Sequence, residues 1–239
     1  NEDCLYLNIW TPKLSKEQIE QSQDKLPVMM WIHGGANVVG SAHTYDPSSL
    51  VSNHNVIVVT IQYRMGPLGW FRHPALYNDD SSLEDRSGNY GTLDTIMALR
   101  WINKNIHHFG GDPNNVTVFG ESAGGHNSAA IFASPLAQGL FHKVIVESGI
   151  MSVSSIKAAE SYLPEDGIAP TVSGLEIFNH LLIQDGKANS IKDAKETQLS
   201  MTREEIRAFF YAQPPEALMK AMNDAGPKRD GMTRVFPDG

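Results

Sequence analysis

The sequence has little cysteine, no excess of positive charge and no long hydrophobic run. Its 239 residues contain one cysteine, Cys4, which excludes a fold held together by many internal disulfides. Nineteen lysines and arginines stand against 27 aspartates and glutamates, a net charge of −8 without any basic cluster, so nucleic acid is not an expected partner. The longest apolar runs have the length of a strand and fall short of the roughly 18 residues that a membrane span needs. We therefore expect a globular protein without a membrane span.

The chain is long enough for one domain with a sizeable core. It begins with Asn-Glu-Asp-Cys, without an initiator methionine or an apolar leader, so we expect an internal start and draw nothing from the missing leader. Cys4 is open to two interpretations, a small buried apolar residue or half of a disulfide whose partner lies outside these residues.

Apolar stretches alternate with helical patterns in the first 150 residues. Residues 26–33 and 56–63 are almost continuously apolar, which predicts central strands covered on both faces. A helical periodicity from Leu93 to Ile106 follows, then a short strand over 116–119, a helix over 123–132 and a strand that starts at Val144. This order predicts an α/β fold with a mostly parallel central sheet, in which ligands bind at the carboxyl ends of the strands.

The composition changes after about residue 152. Polar, helix-prone segments follow at 175–182, 203–212 and 215–222, with few strand signals. We therefore expect residues 1–150 to form the core of the fold and residues 151–239 to form a helical insertion region of the same domain.

One motif places a serine between a strand and a helix. The segment Gly120-Glu121-Ser122-Ala123-Gly124 matches G-x-S-x-G and follows the apolar strand that ends at Phe119. A sharp turn there needs small residues on both sides of the serine and raises the hydroxyl above the sheet edge. The free N–H groups at the start of the following helix favour a negative charge on a substrate. The motif predicts a nucleophilic serine, the alternative being a glycine-rich turn with a capping serine.

A second glycine loop follows the strand that ends at Ile32. Its sequence, His33-Gly34-Gly35-Ala36, is similar to the H-G-G-G loops whose backbone N–H groups form an oxyanion hole. Ala36 in the last position keeps its N–H group but narrows the backbone freedom. Both loops are expected at the same edge of the sheet.

Six short blocks stand out along the chain: Glu2-Asp3-Cys4-Leu5-Tyr6-Leu7-Asn8, His33-Gly34-Gly35-Ala36, Tyr63-Arg64-Met65-Gly66, Gly88-Asn89-Tyr90-Gly91, Phe109-Gly110-Gly111-Asp112-Pro113 and Gly120-Glu121-Ser122-Ala123-Gly124-Gly125. In this order they resemble the type-B carboxylesterase family, the branch of the α/β-hydrolases that includes the cholinesterases. The resemblance is strong over about residues 1–150 and loose beyond them.

The resemblance implies the α/β-hydrolase fold and a carboxylic ester hydrolase that acts on small-molecule esters through an acyl-enzyme, without a cofactor or metal. By it, Ser122 is the nucleophile, and the N–H groups of Gly35, Ala36 and Ala123 form the oxyanion hole. Glu121 is similar to the family's glutamate beside the nucleophile, which anchors water or a positively charged group of the substrate. The family's triad acid and histidine come much later in the chain, so we expect both beyond Gly239 and expect residues 1–239 alone to be inactive.

Further residues are assigned with less specificity. The resemblance favours a disulfide at Cys4 with a partner upstream, which weakly favours secretion, while the compartment and the oligomeric state stay open. His33, His107, His108 and His126 are not expected to act as the base, and no histidine or cysteine spacing suggests a metal site.

Arg64 and Asp94 form either an ion pair that braces the loops or a solvated surface pair. Asn37 stands where the family usually has an aromatic residue.

Two other functions remain open at this point. Adhesion proteins related to these esterases keep the fold without the chemistry, but they usually lose the nucleophile, whereas this sequence retains Ser122. A lipase with an interfacial lid is the second alternative.

Overall fold

The computed structural model describes residues 3–21, 24–151, 153–161 and 172–226. These residues divide into two compact units. The sheet unit contains the described residues of 3–64 and 91–152, and the helical unit contains those of 65–90 and 153–226. The expected division of the fold near residue 150 stays a prediction, and the helical unit also takes in residues 65–90.

A five-stranded mixed sheet forms the centre of the sheet unit. The strand order is β1-β3-β2-β4-β5, in which β1 is antiparallel to β3 and all other neighbours are parallel. The mostly parallel sheet predicted from the sequence is thereby confirmed. The strands are β1 (Leu7–Trp10), β2 (Leu26–Ile32), β3 (Ile57–Ile61), β4 (Gly111–Glu121) and β5 (Lys143–Glu147).

Ten α-helices lie in the described part of the chain, together with several short 3₁₀ turns. Those of the sheet unit are α1, α2, α4 and α5, apart from the first residue of α4, and the others belong to the helical unit. In chain order they are α1 (Lys16–Gln21), α2 (Ser48–His54), α3 (Leu83–Ser87), α4 (Tyr90–Asn105), α5 (Ala123–Ala133), α6 (Ile156–Ala159), α7 (Gly174–Gln184), α8 (Ile191–Ser200), α9 (Arg203–Tyr211) and α10 (Pro215–Ala225).

The core of the sheet unit follows the predicted strands and the predicted long helix. Every residue of β3 is buried, as a central strand requires, and α4 buries Ile96, Leu99 and Ile102. The expectation for β2 is only half right, because Val28, Met30 and Ile32 are buried while Met29 and Trp31 on the opposite face are partly exposed. The short edge strand β1 gave no signal in the sequence, since its four residues are all only half-buried.

The helical unit has a core of its own around Phe178, Leu181 and Leu182 of α7. The ring of Phe178 lies 4.8 Å from that of Phe210 on α9, centroid to centroid. Helix α9 begins with a capping box, in which Thr202 and Glu205 bond each other's backbone N–H groups. The predicted helices at 175–182, 203–212 and 215–222 therefore exist, with ends that differ by a few residues.

None of the helices in the described ranges is long and apolar enough to cross a membrane.

Candidate active site

Ser122 occupies a strained turn between β4 and α5. Its backbone angles are φ 56° and ψ −120°, a combination that non-glycine residues rarely adopt. Its N–H group donates to the carbonyl of Glu147 on β5 at 2.9 Å, which fixes the turn to the neighbouring strand. Helix α5 then begins at Ala123, as the motif predicts.

Close backbone contacts explain the small residues around this serine. A Cβ atom added at Gly124 would lie 1.9 Å from the carbonyl oxygen of Ile32, the last residue of β2. A Cβ atom at Gly120 would lie 2.5 Å from the carbonyl oxygen of Gly124. The first turn of α5 therefore packs directly against the end of β2, at a distance that only glycine allows.

The loop after β2 has three consecutive residues with positive φ. They are Gly35 at 111°, Ala36 at 54° and Asn37 at 59°. The N–H groups of Val38 and Val39 both donate to the carbonyl of Gly35 at 3.0 Å, which closes the loop into a tight turn. We call residues 33–39 the glycine loop.

The glycine loop lies beside Ser122. A Cβ atom built on Gly34 would lie 3.2 Å from the Cβ atom of Ser122. The structure therefore brings together the two loops that the sequence assigned to one edge of the sheet. The predicted nucleophile and the predicted oxyanion loop are neighbours, although they are about ninety residues apart in the chain.

The three predicted oxyanion donors have no acceptor among the described residues. Neither Gly35 nor Ala36 donates its backbone N–H group in the glycine loop, and Ala123 is the first residue of α5, where a helix leaves its N–H groups without a partner. Unpaired N–H groups near a nucleophile are what an oxyanion requires. Their role in binding an oxyanion stays a prediction.

Glu121 ends β4 directly before the serine and is half-buried. A Cβ atom on Gly34 would lie 3.2 Å from Oε2 of Glu121, so this carboxylate lies against the glycine loop. The predicted role of Glu121 as an anchor for water or for a cationic group remains a prediction.

The described histidines near this edge are engaged elsewhere. His33 is fully buried, its Nδ1 lies 2.8 Å from the carbonyl oxygen of Gly34, and its ring stacks on Tyr63 at 4.5 Å. Burial lowers the pKa of His33 below the usual value, against an opposing effect of the bond to Gly34. His126 Nδ1 lies 3.1 Å from the amide nitrogen of Ile150 and 2.5 Å from its carbonyl oxygen.

Within the described ranges, no histidine is hydrogen-bonded to Ser122, and no group of three or more histidine, cysteine, aspartate or glutamate side chains is arranged to hold a metal ion. His107 and His108 are exposed in the 3₁₀ turn that follows α4, with ring centroids 3.8 Å apart.

Two buried side chains of the site were missed by the sequence reasoning. Tyr63, two residues beyond β3, donates its hydroxyl to the carbonyl of His33 at 2.7 Å, and burial raises its pKa. Asn127 of α5 exchanges hydrogen bonds with Asn37 of the glycine loop, Nδ2 to Oδ1, at 2.9 and 3.4 Å. The only signal in the sequence was an asparagine among the small residues of α5. An asparagine is as common on a solvated helix face as in a buried site, so this signal did not identify Asn127.

Arg64 and Asp94 form the bracing pair rather than a solvated one. Asp94 has only 5% of its side chain exposed and accepts from Nε of Arg64 at 2.8 Å, from Nη2 at 2.7 Å and from the backbone N–H of Arg64 at 2.9 Å. The pair fixes the chain just after β3 to helix α4.

Comparisons with known proteins agree on the kind of protein that this chain resembles. The model of the carboxylesterase family matches residues 1–167. The chain is 52% identical over 149 residues to the medium-chain fatty acyl-CoA hydrolase precursor of Anas platyrhynchos, and the matched segment covers 62% of this chain and 24% of that protein. It is 47% identical over 175 residues to carboxylesterase 1D of Mus musculus, covering 73% of this chain and 28% of that protein.

A solved structure shows the same fold. The carboxylesterase EST55 of Geobacillus stearothermophilus superposes with a TM-score of 0.70 at 33% sequence identity, over 100% of this chain and 42% of that one. The predicted α/β-hydrolase fold is thereby confirmed. The chain spans about a quarter of the length of the two curated relatives, 24% and 28%, and 42% of the solved structure.

Proposed function

The chain belongs to the carboxylesterase family, and on that premise we propose that the natural protein containing it hydrolyses small-molecule carboxylic esters through an acyl intermediate on Ser122. One observation carries the proposal. A serine in strained backbone at the start of α5 lies beside the glycine loop, in which the N–H groups of Gly35 and Ala36 have no acceptor among the described residues. The names of the relatives, a hydrolase and an esterase, favour catalysis over adhesion.

In the first step, Oγ of Ser122 attacks the carbonyl carbon of the ester while a base takes the hydroxyl proton. The carbonyl π electrons move to oxygen and produce a tetrahedral oxyanion. The N–H groups of Gly35, Ala36 and Ala123 stabilise this oxygen, helped by the positive end of α5. These N–H groups need not reorient when the oxyanion forms, because close packing of the backbone already holds them in place.

In the second step, the intermediate collapses, and the alcohol leaves with the proton that the base had taken. The acyl group is then bonded to Oγ of Ser122, and water attacks it through the same sequence of proton transfers to release the acid. No described histidine is hydrogen-bonded to Ser122, so the proposal assigns the proton transfer to a histidine outside the described residues.

The test compares two serines in strained backbone. In the natural protein, Ser122→Ala should lower the hydrolysis of p-nitrophenyl acetate by about 10⁴-fold or more and abolish labelling by a fluorophosphonate. Ser148 also has positive φ, 51°, and follows β5, but it is exposed and carries no predicted chemistry. Ser148→Ala is therefore the matched control, and its activity should stay within about twofold.

Equal turnover by the Ser122→Ala variant would contradict the proposal. Absence of fluorophosphonate labelling in the unmodified protein would favour an adhesion role instead. A series of esters of increasing acyl length distinguishes an esterase from a lipase, because only a lipase with an interfacial lid shows a jump in rate above the solubility limit of its substrate.

A further inference from the structure

The glycine loop and helix α5 are joined by one buried pair of side-chain amides. Nδ2 of Asn127 donates to Oδ1 of Asn37 at 2.9 Å, and Nδ2 of Asn37 donates to Oδ1 of Asn127 at 3.4 Å. Asn37 is 1% exposed and Asn127 is fully buried. Because both amides are buried, losing the bond between them costs more than losing a hydrogen bond at the surface, where water replaces it.

The position of this pair is specific to the predicted site. Asn37 directly follows Ala36, one of the predicted oxyanion donors. Asn127 lies on the helix whose first residue, Ala123, is another such donor and whose N-cap is Ser122. Besides the close backbone contacts of Gly34 and Gly124, the amide pair therefore links the segments that carry the predicted nucleophile and all the predicted donors.

The glycine loop needs such a link because its backbone is strained. Ala36 and Asn37 are consecutive non-glycine residues with left-handed φ values of 54° and 59°. Asparagine tolerates this conformation and alanine does not, so the local sequence alone does not favour the observed loop. Strained backbone persists where surrounding contacts over-determine it. Gly124 and Ser122 lie against the start of the loop, and the amide pair is the side-chain contact from α5 to the strained residue Asn37 itself.

We propose that Asn37 and Asn127 are positioning residues, whose amide pair holds the N–H groups of Gly35 and Ala36 in register with Ser122 and Ala123. The inference rests on the proposed function for its catalytic consequence. Neither amide touches the reacting atoms. They act through the direction of the backbone N–H groups, where small displacements weaken stabilisation of a developing oxyanion more than binding of the ground state.

The variants remove the pair while retaining the local backbone preference. Asn37→Gly deletes the amide at a position where glycine adopts positive φ readily, and Asn127→Ala deletes the partner within a helix that favours alanine. Asn55 is the matched control, because it is exposed, has φ 48° and follows α2. Asn55→Gly makes the same chemical change at a left-handed residue far in sequence from the loop.

In the natural protein, each pair variant should lower kcat about ten- to a hundredfold, with KM within about twofold. The double variant should lose no more than the larger single loss, because both changes remove the same interaction. Asn55→Gly should leave both constants unchanged. A merely structural role of the pair would lower the amount of folded protein without separating kcat from KM. Should Asn127→Ala fail to fold, Asn37→Gly carries the test.

Hydrogen exchange gives a readout that does not depend on activity. The N–H groups of Val38 and Val39 donate to Gly35 and report on closure of the glycine loop. Their exchange should accelerate at least about tenfold in Asn37→Gly and not in Asn55→Gly. Unchanged exchange would overturn the inference, and so would unchanged kcat in both pair variants of an active enzyme. An unmodified protein without hydrolysis, but with accelerated exchange in Asn37→Gly, would refute the proposed function and support the holding role of the pair.

Discussion

The two units differ in where they hold strained backbone. All five described non-glycine residues with positive φ lie in the sheet unit, whereas the helical unit has none among its described residues. Four of the five follow the carboxyl ends of parallel strands: Ala36 and Asn37 after β2, Ser122 after β4 and Ser148 after β5. Strain is therefore concentrated at the edge of the sheet where α/β proteins bind ligands.

One polar network of the helical unit forms without non-glycine residues of positive φ. Arg72 donates from Nε to Glu160 at 2.7 Å and from Nη2 to the Tyr77 hydroxyl at 3.1 Å, and that hydroxyl donates to Glu160 at 2.6 Å. The side chains of Arg72, Tyr77 and Glu160 thus form hydrogen bonds with one another within the same unit. The two units therefore differ: a polar network joins Arg72, Tyr77 and Glu160 in the helical unit, whereas in the sheet unit strained backbone lies at the predicted active site.

The largest expected effect is that of Gly124→Ala in the sheet unit. The new methyl group would meet the carbonyl of Ile32 at 1.9 Å, so the first turn of α5 must move away from β2. We expect a loss of about 4 kcal/mol or more in the free energy of unfolding, measured by urea denaturation. Gly139→Ala is the control, with φ 78° but nothing within 4 Å, and should cost about 1 kcal/mol. Equal losses would show that the contact with β2 does not constrain α5.

Breaking the buried ion pair of the helical unit comes next. Arg72→Met removes all bonds of a side chain that is 7% exposed and leaves Glu160, 15% exposed, with the Tyr77 hydroxyl. We expect a loss of about 3 kcal/mol. Arg64→Met in the sheet unit should cost only about 1 kcal/mol, because the Arg64 side chain is 38% exposed and Asp94 keeps its bond from the backbone. Chemical denaturation of both variants measures the two losses in the free energy of unfolding. A larger loss for Arg64→Met than for Arg72→Met would contradict this prediction.

Acid should weaken the helical unit through His73. Nδ1 of His73 accepts from the backbone N–H of Ala75 at 3.1 Å, and burial lowers the pKa of His73 to about 4. The unfolded chain, with a histidine pKa near 6.5, therefore binds more protons below that pH, and stability falls as the pH drops from about 6.5 towards 4. Between pH 7 and pH 5 we expect a loss of about 2 kcal/mol.

The control for this pH dependence is His73→Asn, since asparagine still caps Ala75 but does not titrate in this range. Urea denaturation of both proteins at pH 7, 6 and 5 measures the difference. A pH slope that is as steep in the variant as in the parent would refute the assignment to His73.

The smallest effect is expected at Tyr63. Tyr63→Phe removes the hydroxyl that donates to the carbonyl of His33, and this carbonyl lies at the start of the glycine loop. We expect a loss of about 1 kcal/mol in stability. Tyr45→Phe, at a half-buried ring that packs on Trp31, should change stability by less than about 0.5 kcal/mol. Thermal unfolding of the two variants separates them, and equal shifts would show that the hydroxyl of Tyr63 does not stabilise the loop.

The sequence predicted those parts of the fold that depend on local signals. Continuous apolar runs predicted β2 and β3, and helical periodicity predicted α4. Such patterns arise because the buried positions of a strand or helix recur at a fixed spacing along the chain. The edge strand β1 was missed, since four half-buried residues carry no periodicity. Helix α8 was missed for a similar reason, because it buries only Ala194 and Gln198.

The predicted site divides in the same way. Ser122 and the glycine loop were found because tight turns restrict the residue types that fit, and the structure places the two together. The contact between Asn37 and Asn127 joins residues ninety positions apart, and no local pattern indicates which amides will meet. Long-range polar pairs are set by the packing of β2 against α5, which a single sequence does not reveal.

The contact between Gly124 and the end of β2 joins main chain to main chain, with no side chain between them. On the proposed function, the distance between the Ser122 hydroxyl and the glycine loop consequently does not depend on the side chains that line the substrate pocket. On the proposed function, those side chains can change in evolution without moving Ser122 away from the predicted oxyanion donors, an arrangement that suits a fold able to hydrolyse different esters.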